Sequence, residues 1–107
     1  MKIIVLKFGG TSVGSLKKIQ KVAKIISTYI KKKYKVIVVS SAMSGATNEL
    51  LSKTKKISHN FPNYERDVIL STGEQVACAL ISGKLNDLGH KSRSWLGWQI
   101  PILTRGN

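Results

Sequence analysis

A chain of 107 residues with 42% hydrophobic side chains can build one small domain with a core, which excludes wholesale disorder. One cysteine, Cys78, excludes an internal disulfide, and no apolar run approaches the length of a membrane span. Eighteen Lys and Arg against five Asp and Glu give a net charge of +13 at pH 7, so an anionic ligand or partner has to be considered.

Ile3-Ile4-Val5-Leu6 is a continuous apolar run, which predicts a strand buried on both faces, as in a parallel sheet. It leads into Gly9-Gly10, where the backbone can turn sharply. Leu16, Ile19, Val22, Ala23, Ile26 and Ile30 then recur at helical spacing, with Lys17, Lys18, Lys21 and Lys24 mostly off that face. Ser12 or Ser15 can cap the start of this helix, and Lys31-Lys32-Lys33 suits its C-terminal end. Val36-Ile37-Val38-Val39 is a second buried strand, so residues 3–39 read as one right-handed β-α-β unit.

A loop of small residues follows over 40–47, and Asn48-Glu49-Leu50-Leu51 opens a short helix running towards Ile57. Residues 59–64 contain Asn60, Pro62 and Asn63 and read as a loop. A helical stretch is expected from Arg66 to Leu88, interrupted or bent near Gly73, with Gly89 as its C-terminal cap. Later strands are expected over Ser92–Leu96 and Ile100–Leu103. The fold class is α/β: an open, mainly parallel sheet with flanking helices.

Charge alone does not identify the partner. Direct base readout favours Arg, but nearly all the cations are Lys, and none is interleaved with an aromatic stacking platform. A solvated lysine-rich surface is therefore expected, with nucleic acid disfavoured and a field that helps to draw in an anionic nucleotide. Ile3–Leu6 is too short for the core of a signal peptide, so the expected compartment is the cytoplasm, where Cys78 stays reduced as a small core residue. His59 and His90 have no metal-ligand spacing and read as surface residues, and Trp95 and Trp98 read as packing.

Chemistry is expected where the two strands end, because an open α/β sheet binds ligands beyond the carboxyl ends of its strands. Lys7-Phe8-Gly9-Gly10-Thr11-Ser12 joins a cation to a glycine pair and a helix N-terminus, all of which suit phosphate. An ordinary strand-to-helix turn would also fit that segment on its own. The Walker A pattern and the dinucleotide G-x-G-x-x-G are both absent.

Three segments together narrow the reading. Lys7-Phe8-Gly9-Gly10-Thr11-Ser12-Val13-Gly14 resembles the opening signature of aspartate kinases, within the amino-acid kinase superfamily. Residues 38–48, from Val38 through Ser40-Ser41-Ala42-Met43-Ser44-Gly45-Ala46-Thr47 to Asn48, resemble the loop after their second strand. Leu70-Ser71-Thr72-Gly73-Glu74-Gln75 resembles their third motif, and Gly97-Trp98-Gln99 also fits. Order and spacing agree over essentially the whole chain.

The resemblance implies transfer of the γ-phosphoryl group of ATP to the side-chain carboxylate of L-aspartate, giving 4-phospho-L-aspartate on the route to lysine, threonine and methionine. Lys7 would neutralise the phosphoryl oxygens, and Phe8, Gly9, Gly10, Thr11 and Ser12 would form the ATP loop. Ser41 would stand where nucleotide and substrate meet, Thr47 would help to hold aspartate, and Glu74 would pair with its amino group. Mg2+ would arrive with the nucleotide, with no protein ligand of its own identified. Ser41 and Thr47 could instead cap helices, and Glu74 could be an exposed helix residue.

Aspartate kinases continue well beyond 107 residues and form homo-oligomers when full-length. Residues 1–107 are thus expected to be the N-terminal part of the kinase domain, inactive alone, with an apolar face and a sheet edge exposed. The alternatives are a superfamily kinase for another acid, and a non-catalytic basic module that binds nucleic acid.

Overall fold

The computed structural model describes residues 1–96 and Gln99. The order of elements is β1 (Ile3–Phe8), α1 (Leu16–Lys31), β2 (Lys35–Ser40), α2 (Ala46–Ile57) and α3 (Asn63–Asp87). The strands pair in parallel, with Ile3 opposite Lys35 and Phe8 opposite Ser40, so both loops of interest leave the same end of the sheet. This is the α/β architecture expected from the residues, with α1 as the crossover.

The elements follow from local chemistry. Ser15 caps α1, its Oγ accepting from the Lys18 amide at 3.2 Å. Past Lys31 the chain turns through Lys33, which takes a left-handed φ of 71°. Helix α2 begins at Ala46, two residues before the expected start, because Gly45 supplies the turn with a φ of 86°. At the end of α3, Gly89 adopts φ 90°, the His90 amide donates to the Leu85 carbonyl and the Gly89 amide to that of Asn86, closing a Schellman motif.

One face of the sheet carries the core. Val13, Ile19, Val22, Ala23, Ile26, Ile81 and Leu85 are buried there, with Leu6, Phe8, Val36, Val38 and Met43 packed against them. Helices α1 and α3 cover this face, and α3 contributes the stripe Gly73, Ala77, Ile81 and Leu85 at a spacing of four. Leu16, assigned by spacing to the apolar face of α1, is exposed.

The opposite face departs from expectation. Both strands alternate, and Ile3, Val5, Ile37 and Val39 stay 64%, 60%, 52% and 48% exposed. The apolar runs call for burial on two faces, and among the described residues nothing packs on the second.

Three further expectations need correction. Helix α3 begins at Asn63 and passes through Gly73 without interruption, since a single glycine costs a helix only about 1 kcal/mol. Ser92–Leu96 forms no strand and makes no ladder with the sheet among the described residues. Ile100–Leu103 and Trp98 lie outside the described residues.

Candidate functional site

The ends of β1 and β2 are tied together past the last ladder pair. The Ser41 amide donates to the Phe8 carbonyl at 3.0 Å, which sets Ser41 beside the start of the glycine loop. Lys7 lies opposite Val39 in the register and is exposed on the uncovered face of the sheet. Phe8 points the other way and packs against the core, so it anchors the loop from below.

The loop itself is two tight turns. The Ser12 amide donates to the Gly9 carbonyl at 3.1 Å and the Gly14 amide to Thr11 at 3.4 Å. The amides of Gly9, Gly10 and Thr11 enter no backbone hydrogen bond among the described residues. Val13 is fully buried and pins the loop to the core, while Gly9, Thr11 and Ser12 are exposed. Amides without a backbone partner thus lie in the turn that joins the Lys7 end of β1 to the N-terminus of the 16-residue α1. Such a constellation suits phosphate oxygens.

Glycines let the two loops interlock. A Cβ on Gly10 would come within 3.3 Å of the Ala42 carbonyl oxygen, and one on Gly14 within 3.3 Å of the Ser44 Cβ. Helix α3 closes the third side, its Gly73 lying against Ala42, Ala46 and Leu50. Glu74 follows immediately on α3 and is exposed, and Thr47 is exposed in the first turn of α2. Neither Ser41 nor Thr47 caps a helix, because the cap position of α2 belongs to Gly45. The structure therefore brings Lys7, the glycine loop and Ser41 together, with Thr47 and Glu74 on the two helices that flank them.

Cys78 stands one turn beyond Glu74 and is half-buried rather than a core residue. Burial pushes its thiol above the ordinary value, and the Glu74 carboxylate adds to this against a backbone hydrogen bond from Ser40. Helix α3 packs against β2.

Sequence reasoning passed over Lys18, whose Nζ donates to the Thr11 carbonyl at 3.1 Å and braces the glycine loop from α1. A separation of seven residues carries no signal for such a contact. It also passed over Gly73 as a packing residue, although a glycine inside a helix is itself a clue. His90, read as a surface residue, is half-buried and lies 2.7 Å from the hydroxyl of the buried Ser27. Trp95 was read as packing, but it is exposed, with the Arg93 guanidinium 4.3 Å over its ring. His59 is exposed, as expected.

A groove of about 700 Å³ lies away from the strand tips. It lies between α1, the strands, α3 and residues 89–95, and its walls include Ile26, Val36 and Trp95. Its lining lacks the glycine loop, Ser41, Thr47 and Glu74, so the phosphate-type site is a surface cradle separate from this groove.

Comparison with known proteins gives the family. The sequence profile of the amino acid kinase family matches residues 2–105. The chain belongs to this family. Over 104 residues it is 48% identical to an aspartokinase of Geobacillus stearothermophilus, covering 97% of this chain and 26% of that protein. It is 44% identical over 110 residues to an aspartokinase of Rickettsia conorii, covering 100% of this chain and 27% of the relative. The crystal structure of aspartate kinase from Synechocystis superposes with a TM-score of 0.77 at 44% identity, over 80% of this chain and 15% of that one. This amino acid kinase chain therefore spans about a quarter of the length of the aspartokinases it matches.

No described helix of this family member is long and apolar enough to cross a membrane. The described residues also hold no group of three His, Cys, Asp or Glu side chains able to bind a metal ion. The donor set at the strand tips is cationic and N–H, which fits a triphosphate and not a bare cation. Magnesium, which the family implies, would arrive with the nucleotide.

Proposed function

We propose that this chain supplies the phosphate-gripping part of an aspartate kinase, which transfers the γ-phosphoryl group of ATP to the side-chain carboxylate of L-aspartate. The observation that carries the reading is a glycine turn, its Gly9 and Gly10 amides without a backbone partner among the described residues, set between the Lys7 end of β1 and the N-terminus of α1. Similarity to aspartokinases along the whole chain supports the choice of acceptor.

The acceptor carboxylate is already an anion at neutral pH, so the reaction needs no general base. Its difficulty is the approach of two negative groups. Catalysis therefore rests on position and charge neutralisation. Lys7 sets a full positive charge at the strand tip. Gly9 and Gly10 offer amides without a Cβ in the way, and Thr11 and Ser12 line the same loop. Ser41, fixed beside Phe8, stands at the junction of nucleotide and amino acid. Thr47 and Glu74 approach from the flanking helices, with Glu74 suited to the aspartate ammonium group. Magnesium, bound with the nucleotide, would neutralise part of its charge.

The whole reaction belongs to the protein that carries these residues in full. The isolated 107 residues contribute a phosphate cradle and two substrate contacts, and they are expected to turn over no aspartate. The test is a panel of carboxylate acceptors given to the whole protein with MgATP, following ADP release and the acyl phosphate. Phosphorylation of L-aspartate in preference to other acids supports the proposal. Preference for another acid would keep the phosphate site and overturn the acceptor, and salt-sensitive nucleic-acid binding without nucleotide binding would overturn both.

A further inference from the structure

Gly73 sits inside α3, where glycine lowers helix propensity, yet the helix runs through it unbroken. It is buried, and a Cβ placed there would stand 3.1 Å from the Cβ of Ala42, 3.8 Å from Leu50 Cδ1 and 4.0 Å from the Cβ of Ala46. The first of these is tighter than an ordinary van der Waals contact. On its other side Ala42 presents its carbonyl oxygen to Gly10, where a Cβ would come within 3.3 Å. One residue of the second loop is thus held between two glycines, one on α3 and one in the phosphate loop.

We propose that Gly73 is a positioning residue for the nucleotide site, its bare Cα setting how close Ala42 stands to α3 and hence where the Gly9–Gly10 backbone lies. The proposal rests on the nucleotide reading above. A methyl group on residue 73 meets the Cβ of Ala42, which has no rotamer with which to escape. Relief has to come from backbone movement. The neighbouring Ser41 is bonded to the Phe8 carbonyl, and Ala42 itself abuts Gly10, so the movement passes into the phosphate loop. Close-packed interiors transmit such displacements rather than absorb them. Glu74 follows directly on the helix, so the same contact also fixes the spacing between the proposed ammonium-binding carboxylate and the phosphate loop.

The test is a size swap in the whole protein that carries this chain. Wild type, Gly73→Ala, Ala42→Gly and the double variant are compared by MgADP affinity, and by amide hydrogen exchange of residues 9–14 without nucleotide. Gly73→Ala is expected to weaken MgADP binding about tenfold, a fraction of the loss that a displacement of 1 Å can cause. It should also speed exchange in the loop. Ala42→Gly alone changes little, and the double variant returns both readouts close to wild type. A residue that merely stabilises α3 would behave otherwise, because alanine raises helix propensity and a glycine in the next loop could not compensate.

Wild-type affinity and exchange in Gly73→Ala would overturn the proposal, as would a loss that Ala42→Gly fails to restore. If Gly73→Ala does not fold, the double variant decides: folded and binding normally supports the coupling, unfolded refutes it. If wild type itself binds no MgADP, the nucleotide reading fails, and the exchange comparison, which uses no ligand, still decides the coupling between α3 and the loop.

Discussion

The backbone N–H of Ser41 donates to the carbonyl of Phe8 at 3.0 Å, one step beyond the last paired residues of the parallel sheet. This bond makes two loops into one surface. Without it the glycine turn and the small-residue loop would leave the sheet independently. With it, Gly10 can lie against Ala42 and Gly14 against Ser44.

Lys7 carries the first prediction. Its side chain is exposed and covers none of the core, so Lys7→Ala should fold normally. The charge it removes is the one full cation placed by β1 at the strand tip. In the whole protein the expected loss in kcat is about 10²–10³-fold, the size seen when one preorganised stabilising group is deleted. Circular dichroism and steady-state kinetics on the same sample check both halves. Near-normal turnover would remove Lys7 from the mechanism.

How far the residues could be read in advance depended on the range of the interaction. Ile3–Leu6 and Val36–Val39 announce strands, and the spacing from Ile19 to Ile30 announces a helix, because these patterns are local. The glycine pair after Lys7 likewise marks a site by its own chemistry. What covers a strand is not local: Val5 and Ile37 are apolar enough for a buried sheet face, and nothing in their spacing says which element lies above them. Ser92–Leu96 shows the same limit, since a strand exists only when a neighbour accepts its hydrogen bonds. Gly73 was read as a break because glycine weakens helices, and Ala42, its reason for being there, lies 31 residues away in a different element.

Ser27 and His90 supply the second prediction. They lie 63 residues apart and meet at 2.7 Å, fastening α1 to the turn that follows α3. Ser27 is buried, so removal of its partner strands a hydroxyl. His90→Ala should cost about 1–3 kcal/mol. Ser27→Ala removes the polar group itself and should cost less. Urea melts of both single variants and the double variant check the order, and a larger loss for Ser27→Ala would reject the hydrogen bond as the cause.

Gly89 gives a third prediction, placed far from the cradle as a control. Its φ of 90° belongs to the left-handed region, and no atom stands where a Cβ would go. Gly89→Ala therefore meets no clash and suffers only backbone strain, about 1–2 kcal/mol. The midpoint of thermal unfolding should fall, while MgADP affinity at temperatures where the protein stays folded is unchanged. A change in affinity would show that the end of α3 is coupled to the phosphate loop.

Cys78 gives the fourth, a dependence on pH. Burial raises its thiol most, the Ser40 backbone pulls partly against it, and the Glu74 carboxylate adds a smaller push. The folded chain therefore keeps the thiol proton at a pH where the unfolded chain has given it up, and the unfolded state binds fewer protons in that window. Stability must then fall as pH rises. The contribution is complete below the ordinary thiol value of about 8.5 and is lost progressively as pH climbs through the raised folded value. Every other ionisable group is common to both proteins, so the informative quantity is the difference between wild type and Cys78→Ala. That difference should be flat up to about pH 8 and should shrink above it, because only the wild type has this proton to lose. Urea midpoints at a series of pH values measure it. A thiol reagent should also label the folded chain more slowly than the urea-unfolded chain at the same pH. Equal labelling rates, or parallel pH profiles for the two proteins, would show that the packing of α3 against the end of β2 leaves the thiol as free as it is in water.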